Sequence, residues 1–274
     1  MKVYVFGATG TVGNPLVEDL LESGHEVLAV SRKSGSEKKG LTYVGTDPSE
    51  MKGADAVFLL SPGGLADQHS VLKPYLEQAK QIKPARTVLM TAFGVEYAPA
   101  EVPLRKIELE VLDSGLDATV LRPNWFMQNF NSYWIQGILS DSRIYFPGGD
   151  AKAGFIDARD IAACAARLLT GAGHSGEGIG ITGPEALDHK EVAQKLSAAT
   201  GKKIEYVNVD PEDFKVSLKE AGLPADYIEV LSAIAAGLRE GQAATVTDSV
   251  EALLGRKAIS FDQYAKDYAS AFQG

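Results

Sequence analysis

The chain has 274 residues, 45% of them hydrophobic and 23% charged, the balance of an ordinary globular protein. Its formal charge of −9 and the absence of a basic stripe exclude a general nucleic-acid binder. Cys164 is the only cysteine, which excludes an internal disulfide and a cysteine metal site. No apolar run approaches the length of a membrane span. The chain enters a strand almost at once, so the expectation is a cytoplasmic protein without a leader, with no membrane or nucleic-acid partner.

The first thirty residues organise the rest. Val3-Tyr4-Val5-Phe6 is a short apolar run that stops at Gly7-Ala8-Thr9-Gly10-Thr11-Val12-Gly13. An amphipathic segment with Leu16, Val17, Leu20 and Leu21 follows and ends at Gly24, before a second apolar run, Val27-Leu28-Ala29-Val30. This reads as strand, glycine turn, helix, strand, one βαβ unit of the kind that binds a dinucleotide. The spacing is GxxGxxG rather than GxGxxG, and a glycine-rich turn of any α/β protein is the alternative. The glycines allow a tight turn, a close approach of diphosphate to backbone, and close packing of helix on strand. The helix start then offers free N–H groups and a positive dipole end. Arg32 and Lys33 follow the second strand, where an NAD-selective fold usually carries a carboxylate for the ribose hydroxyls. A guanidinium there suits a 2′-phosphate, so NADP(H) is expected over NAD(H). Two solvated charges are the alternative.

Further strands are expected at 41–44, 56–60, 87–90 and 118–121, with helices at 68–83 and 101–114 between them. Asp47 either contacts the adenine or caps the turn at Ser49. The segments after the strands at 56–60 and 87–90, Ser61-Pro62-Gly63-Gly64 and Thr91-Ala92-Phe93-Gly94, belong at the ligand edge of an open α/β sheet. The expected fold class is therefore α/β, a Rossmann-like doubly wound parallel sheet.

Beyond residue 123 the pattern changes. Trp125, Phe126, Phe130, Tyr133 and Trp134 fall within ten residues, a stripe that is either core or pocket lining. Asp157 is placed to cap a helix running to Leu169. Later helices near 187–200, 211–221 and 224–239, with a strand at 204–207, make a smaller α+β substrate-binding cap. The division reads as 1–128 for the nucleotide domain, with 152–176 and part of 245–274 returning to it, and 129–151 with 177–244 for the cap.

Gly7–Gly13, Arg32, Leu121-Arg122-Pro123-Asn124-Trp125-Phe126-Met127-Gln128-Asn129-Phe130 and the run from Gly154 to Ala162 together resemble the NmrA-like family. These are atypical short-chain dehydrogenase/reductases: NAD(P)H:quinone oxidoreductases, azo- and triphenylmethane-dye reductases, isoflavone-reductase-like enzymes and redox-sensing regulators. With Gly183-Pro184-Glu185, the motif is also similar to that of clavine-forming ergot-alkaloid reductases, which reduce an iminium. The resemblance spans essentially the whole chain and implies an NAD(P)H-dependent oxidoreductase. It implies diphosphate binding by Gly7, Ala8, Thr9, Gly10, Thr11 and Val12, and 2′-phosphate binding by Arg32. Ser61, Pro62 and Gly63 would line the adenine ribose side. Thr91, Ala92 and Phe93, with Pro123, Asn124, Trp125 and Phe126, would surround the nicotinamide. Phe93, Trp125, Phe126 and Tyr133 are the expected substrate contacts.

The sequence departs from the common short-chain dehydrogenase pattern in one respect that bears on chemistry. No tyrosine has a lysine four residues later, so the usual proton donor is missing. Family members that place a lysine in the helix near Leu104 make Lys106 a catalytic candidate, against a solvated lysine paired with Glu110. Tyr97 and Tyr133 are phenols without motif support. The four histidines lack metal spacing, and no metal is expected. The reading that follows is hydride transfer from NADPH to a small apolar conjugated electrophile: quinone, azo or triphenylmethane dye, enone or iminium. The rival is a non-catalytic NADP(H) sensor that binds a protein partner. A monomer or a homodimer is expected.

Overall fold

The computed structural model describes residues 1–31 and 38–273. The chain divides into two compact units, one of Met1–Pro123, Ala158–Gly180 and Ala252–Gly255, the other of Asn124–Asp157, Ile181–Glu251 and Arg256–Gly274.

The first unit holds the strands β1 (Lys2–Val5), β2 (Glu26–Val30), β3 (Leu41–Val44), β4 (Ala56–Leu60), β5 (Arg86–Met90) and β6 (Ala118–Pro123). Its helices are α1 (Gly13–Glu22), α2 (Gln68–Ile82) and α3 (Pro103–Leu112). All six strands fall where apolar runs predict them, and in β1 and β4, buried along most of their length, the run is continuous. Residues Ala56 to Leu59 in β4 are all fully buried. The sheet is parallel and seven-stranded among the described residues, in the order β3-β2-β1-β4-β5-β6 and then Gly178–Ile181 at the edge. β1 has β2 on one side and β4 on the other, so the strand order reverses there. In open α/β sheets such a reversal, at the carboxyl ends of the strands, is where ligands bind.

On one face Tyr4, Val57, Leu59, Leu89 and Val120 pack under Leu72, Leu76, Ile107 and Val111 of α2 and α3. Burying each such side chain contributes roughly 1.5–3 kcal/mol. Asp47 caps a single 3-10 turn, Pro48–Met51, by accepting from the Ser49 N–H at 2.8 Å. That hydrogen bond satisfies the capping reading of Asp47.

The second unit contains α4 (Ile135–Asp141) and β7 (Arg143–Phe146). The helix α5 (Ala158–Thr170) belongs to the first unit, packs on α1, and begins directly after Asp157. The edge strand Gly178–Ile181 is β8; α6 (His189–Thr200), β9 (Glu205–Asn208), α7 (Pro211–Glu220), α8 (Ala225–Arg239), α9 (Ser249–Leu254) and α10 (Phe261–Asp267) follow. β7 and β9 pair in parallel, Ile144 opposite Tyr206. The core of this unit is aromatic: Phe130, Phe146, Phe155, Phe261, Tyr264 and Phe272 are buried together with Leu196 and Val192. No helix among the described residues is long and apolar enough to cross a membrane.

Candidate nucleotide site

In the first unit, β1 and β4 stay paired up to the glycine turn, where the Phe6 N–H donates to the Phe58 carbonyl at 2.9 Å. Gly7 then takes φ +84°, a left-handed conformation that glycine adopts without steric cost. The turn closes through the Gly10 N–H on the Gly7 carbonyl and the Asn14 N–H on the Gly10 carbonyl, each at 3.0 Å. Gly13 opens α1 so close beneath the turn that a Cβ there would stand 2.0 Å from the Gly7 oxygen. Val12 at the cap position supplies no side-chain hydrogen bond to the helix start. A helix start that no side chain caps, set under a turn that only glycines can form, is the geometry a diphosphate requires. The residues present therefore fit a dinucleotide.

Ser31 continues β2 with its N–H on the Val44 carbonyl at 3.0 Å. Arg32 and Lys33, the candidates for the 2′-phosphate, lie outside the described residues. Ser61, Pro62 and Gly63 leave the carboxyl end of β4, with the Ser61 hydroxyl donating to the Pro62 carbonyl at 3.3 Å. Thr91, Ala92 and Phe93 continue β5, paired to the very end of β6: Thr91 N–H on the Leu121 carbonyl at 2.9 Å, Phe93 N–H on the Pro123 carbonyl at 3.0 Å. The Phe93 ring lies against Gly180 of β8, where a Cβ would come within 2.9 Å of Phe93 Cε2.

Behind Thr91 sits an ionic cluster that sequence reasoning did not single out. Glu108, fully buried on α3, accepts from Thr91 Oγ1 at 3.0 Å, Arg122 Nε at 3.2 Å and Arg122 Nη2 at 2.5 Å. Arg105 is its fourth donor. Arg122 also lies 3.8 Å from Glu96, whose buried Oε2 has no hydrogen-bond partner. The signal was present in the sequence: residues 104, 107 and 111 form the apolar stripe of α3, and position 108 falls on the same face.

Asn124, Trp125, Phe126 and Tyr133 belong to the second unit. The Asn124 amide is committed to structure, donating to the Ala243 carbonyl at 2.9 Å and accepting from the Trp125 N–H at 2.9 Å. The aromatic stripe divides. Phe130 is fully buried against Phe155 and Phe261, whereas Trp125 and Phe126 are half-buried and Tyr133 is 75% exposed. Trp125 stacks on Trp134, ring centroids 6.2 Å apart.

Lys106 is exposed on α3, away from the buried stripe. Glu110 pairs instead with Lys73 at 2.6 Å and His69 at 3.0 Å, so the helical Lys106–Glu110 pair is replaced by a bridge from α3 to α2. Tyr97 is 85% exposed. Cys164 is fully buried in α5. No cluster of metal-binding side chains occurs among the described residues. His189 is fully buried among Phe130, Trp134, Phe146, Phe155 and Tyr206, and neither ring nitrogen has a hydrogen-bond partner. Burial pulls its pKa from 6.5 down to about 3, so it is neutral.

Two family models match the chain, one described as NAD(P)H-binding over residues 7–171 and one as the NmrA-like family over residues 105–265. An NAD(P)H azoreductase of Xenophilus azovorans is 32% identical, the match covering 98% of this chain and 99% of that protein. An oxidoreductase of Bacillus subtilis, YesF, is 31% identical over 98% of this chain and 95% of its own length. Among solved structures, the NADPH-dependent quinone oxidoreductase QOR2 of Escherichia coli, complexed with NADPH, superposes with a TM-score of 0.83 at 22% identity. That match covers 97% of this chain and 99% of QOR2, and it bears on the fold alone. Matched along its length by both models and by relatives of its own size, the chain belongs to the NmrA-like family and is an NAD(P)H-dependent oxidoreductase.

Proposed function

We propose that the protein transfers hydride from NADPH to a small, apolar, conjugated electrophile such as a quinone, an azo or triphenylmethane dye, an enone or an iminium. The observation that carries the nucleotide half is the uncapped start of α1 beneath Gly7 and Gly13. Gly7 to Val12 would hold the diphosphate, Ser61 to Gly63 the adenine ribose side, and Thr91 to Phe93 with Pro123 and Asn124 the nicotinamide. The preference for NADPH rests on Arg32, helped by Lys33. A bound dihydronicotinamide supplies the hydride; the protein positions it and keeps water away.

The choice of acceptor rests on the proton. Tyr97 and Tyr133 are exposed phenols, Lys106 is an exposed amine, and no tyrosine has a lysine four residues later to supply the proton. Acceptors that take their proton from solvent, or already carry positive charge, suit such a protein better than simple ketones. The half-buried Trp125 and Phe126, with Phe93 and Tyr133, are the side chains proposed to contact the acceptor, and that small molecule is the proposed partner. The azoreductase relative reduces acceptors of this class by its name. A cytoplasmic location is proposed with it, in keeping with a sequence whose one cysteine can form no internal disulfide.

The test is NADPH oxidation followed at saturating cofactor with p-benzoquinone, an azo dye, an enone, an iminium and a simple ketone. Turnover of one or more of the first four, well above the ketone, is expected. Preference for the ketone would overturn the acceptor class. Tight NADPH binding without turnover of any acceptor would replace the reductase reading with that of a redox-sensing regulator.

A further inference from the structure

We propose that Glu108 and Arg122 are positioning residues that fix Thr91 as a hydrogen-bond acceptor at the nicotinamide end of the site, and thereby set the rate of hydride transfer; this rests on the nucleotide reading above. A buried ion pair is rarely stabilising against apolar side chains of similar volume. Yet Glu108 occupies a fully buried place beside Ile107 and Val111, where a leucine would meet the pattern of the helix. Four donors fill it. Arg122 reaches both carboxylate oxygens, Nε to Oε2 and Nη2 to Oε1, and Arg105 and Thr91 complete the set. The cluster therefore ties α3 to the ends of two neighbouring strands at one point.

The consequence falls on Thr91. Its hydroxyl spends its one proton on Glu108, so toward any ligand it offers lone pairs only. Thr91 is thus excluded as a proton donor and suited to receive an amide N–H, the group carried by a nicotinamide carboxamide. The same strand end carries Phe93, whose N–H is held by the Pro123 carbonyl and whose ring rests on Gly180. β8 is shaped for this arrangement: a Cβ on Gly178 would stand 2.3 Å from Arg122 Cζ, so the guanidinium occupies the space a side chain would need.

The experiment compares full-length wild type, Glu108→Gln, Gly178→Ala, Thr91→Val and Thr91→Ser. Arg86→Gln serves as a control, because it breaks the Arg86–Asp117 pair at the opposite end of the same strand. NADPH affinity, the emission of the bound dihydronicotinamide, thermal midpoint without cofactor, and turnover of p-benzoquinone are measured for each. Glu108→Gln, Gly178→Ala and Thr91→Val are expected to bind NADPH within about threefold of wild type and to lose about 10- to 100-fold in kcat, as misplacement of a reacting group does. Their bound NADPH should emit differently from that of wild type. Thr91→Ser should rescue the rate, and Thr91→Val combined with Glu108→Gln should be no slower than either alone. Arg86→Gln should lower the thermal midpoint and leave kcat unchanged. Wild-type kcat and emission in Glu108→Gln and Gly178→Ala would overturn the proposal, as would parallel losses of midpoint and rate in all variants, Arg86→Gln included. Failure of the wild type itself to bind NADPH would instead strike the nucleotide reading.

Discussion

A Cβ at position 13 would stand 2.0 Å from the carbonyl oxygen of Gly7, closer than any side chain tolerates. The two glycines hold strand and helix together at the place where a diphosphate must approach backbone. Gly13→Ala should therefore push the turn away from α1, costing about 2–3 kcal/mol of stability by overpacking. NADPH affinity should fall at least about tenfold, the equivalent of 1.4 kcal/mol. Gly45→Ala, at a site with no atom within 4 Å of the added methyl, should change neither. Calorimetry and cofactor titration of both variants check this. Wild-type NADPH affinity in Gly13→Ala would remove the cradle from the account.

His189 makes stability depend on pH. Its native pKa is depressed to about 3, whereas in the unfolded chain it is near 6.5. As pH falls below about 6.5 the unfolded state binds a proton that the native state refuses, so stability is full above that value and is lost progressively toward pH 3. The loss at pH 5 is about 2 kcal/mol from this residue alone. Urea unfolding at pH 7 and pH 5 should show a steeper decline for wild type than for His189→Leu. Equal declines would mean the ring is not held neutral.

The aromatic stripe after β6 should separate by function. Phe130→Ala removes a fully buried ring and should cost about 3–5 kcal/mol. Phe126→Ala, at a half-buried position, should cost about 1 kcal/mol and mainly lower kcat/KM for the acceptor. Tyr133→Phe, at an exposed side chain, should leave kcat unchanged. Unfolding curves and acceptor kinetics for the three variants decide between core and contact. A large rate loss in Tyr133→Phe would make that phenol a proton donor after all.

Lys106 can be separated from solvent as the proton source. Lys106→Met should retain turnover within about twofold at saturating quinone. A drop of about tenfold or more, with unchanged NADPH affinity, would install the lysine as catalytic.

Much of the nucleotide-binding unit could be read from the residues, because strands buried on both faces carry their signal in every position. Val3 to Phe6 and Ala56 to Leu60 needed no partner to be recognised. β8 was invisible for the opposite reason. Its sequence, Gly-Ile-Gly-Ile, lacks the bulk that marks a strand, since Gly178 makes room for Arg122 and Gly180 for Phe93. The same glycines that shape the site hid the element that carries them. Glu108 escaped although its position falls on the apolar face of α3, because a charged residue on a helix reads as solvated until its neighbours on other strands are known. β7 is short and, among the described residues, pairs with β9 alone, its Arg143 opposite Glu205, so no local pattern announced it. The family motif located Arg122 without disclosing what it touches.

The most direct test of the account is a fluorescence titration of wild type and Arg32→Ala with NADPH and NADH. Wild type should bind NADPH more tightly than NADH, and Arg32→Ala should lose most of that preference while keeping its affinity for NADH. Equal binding of the two cofactors by wild type would contradict the NADPH assignment, and binding of neither would contradict the nucleotide site itself.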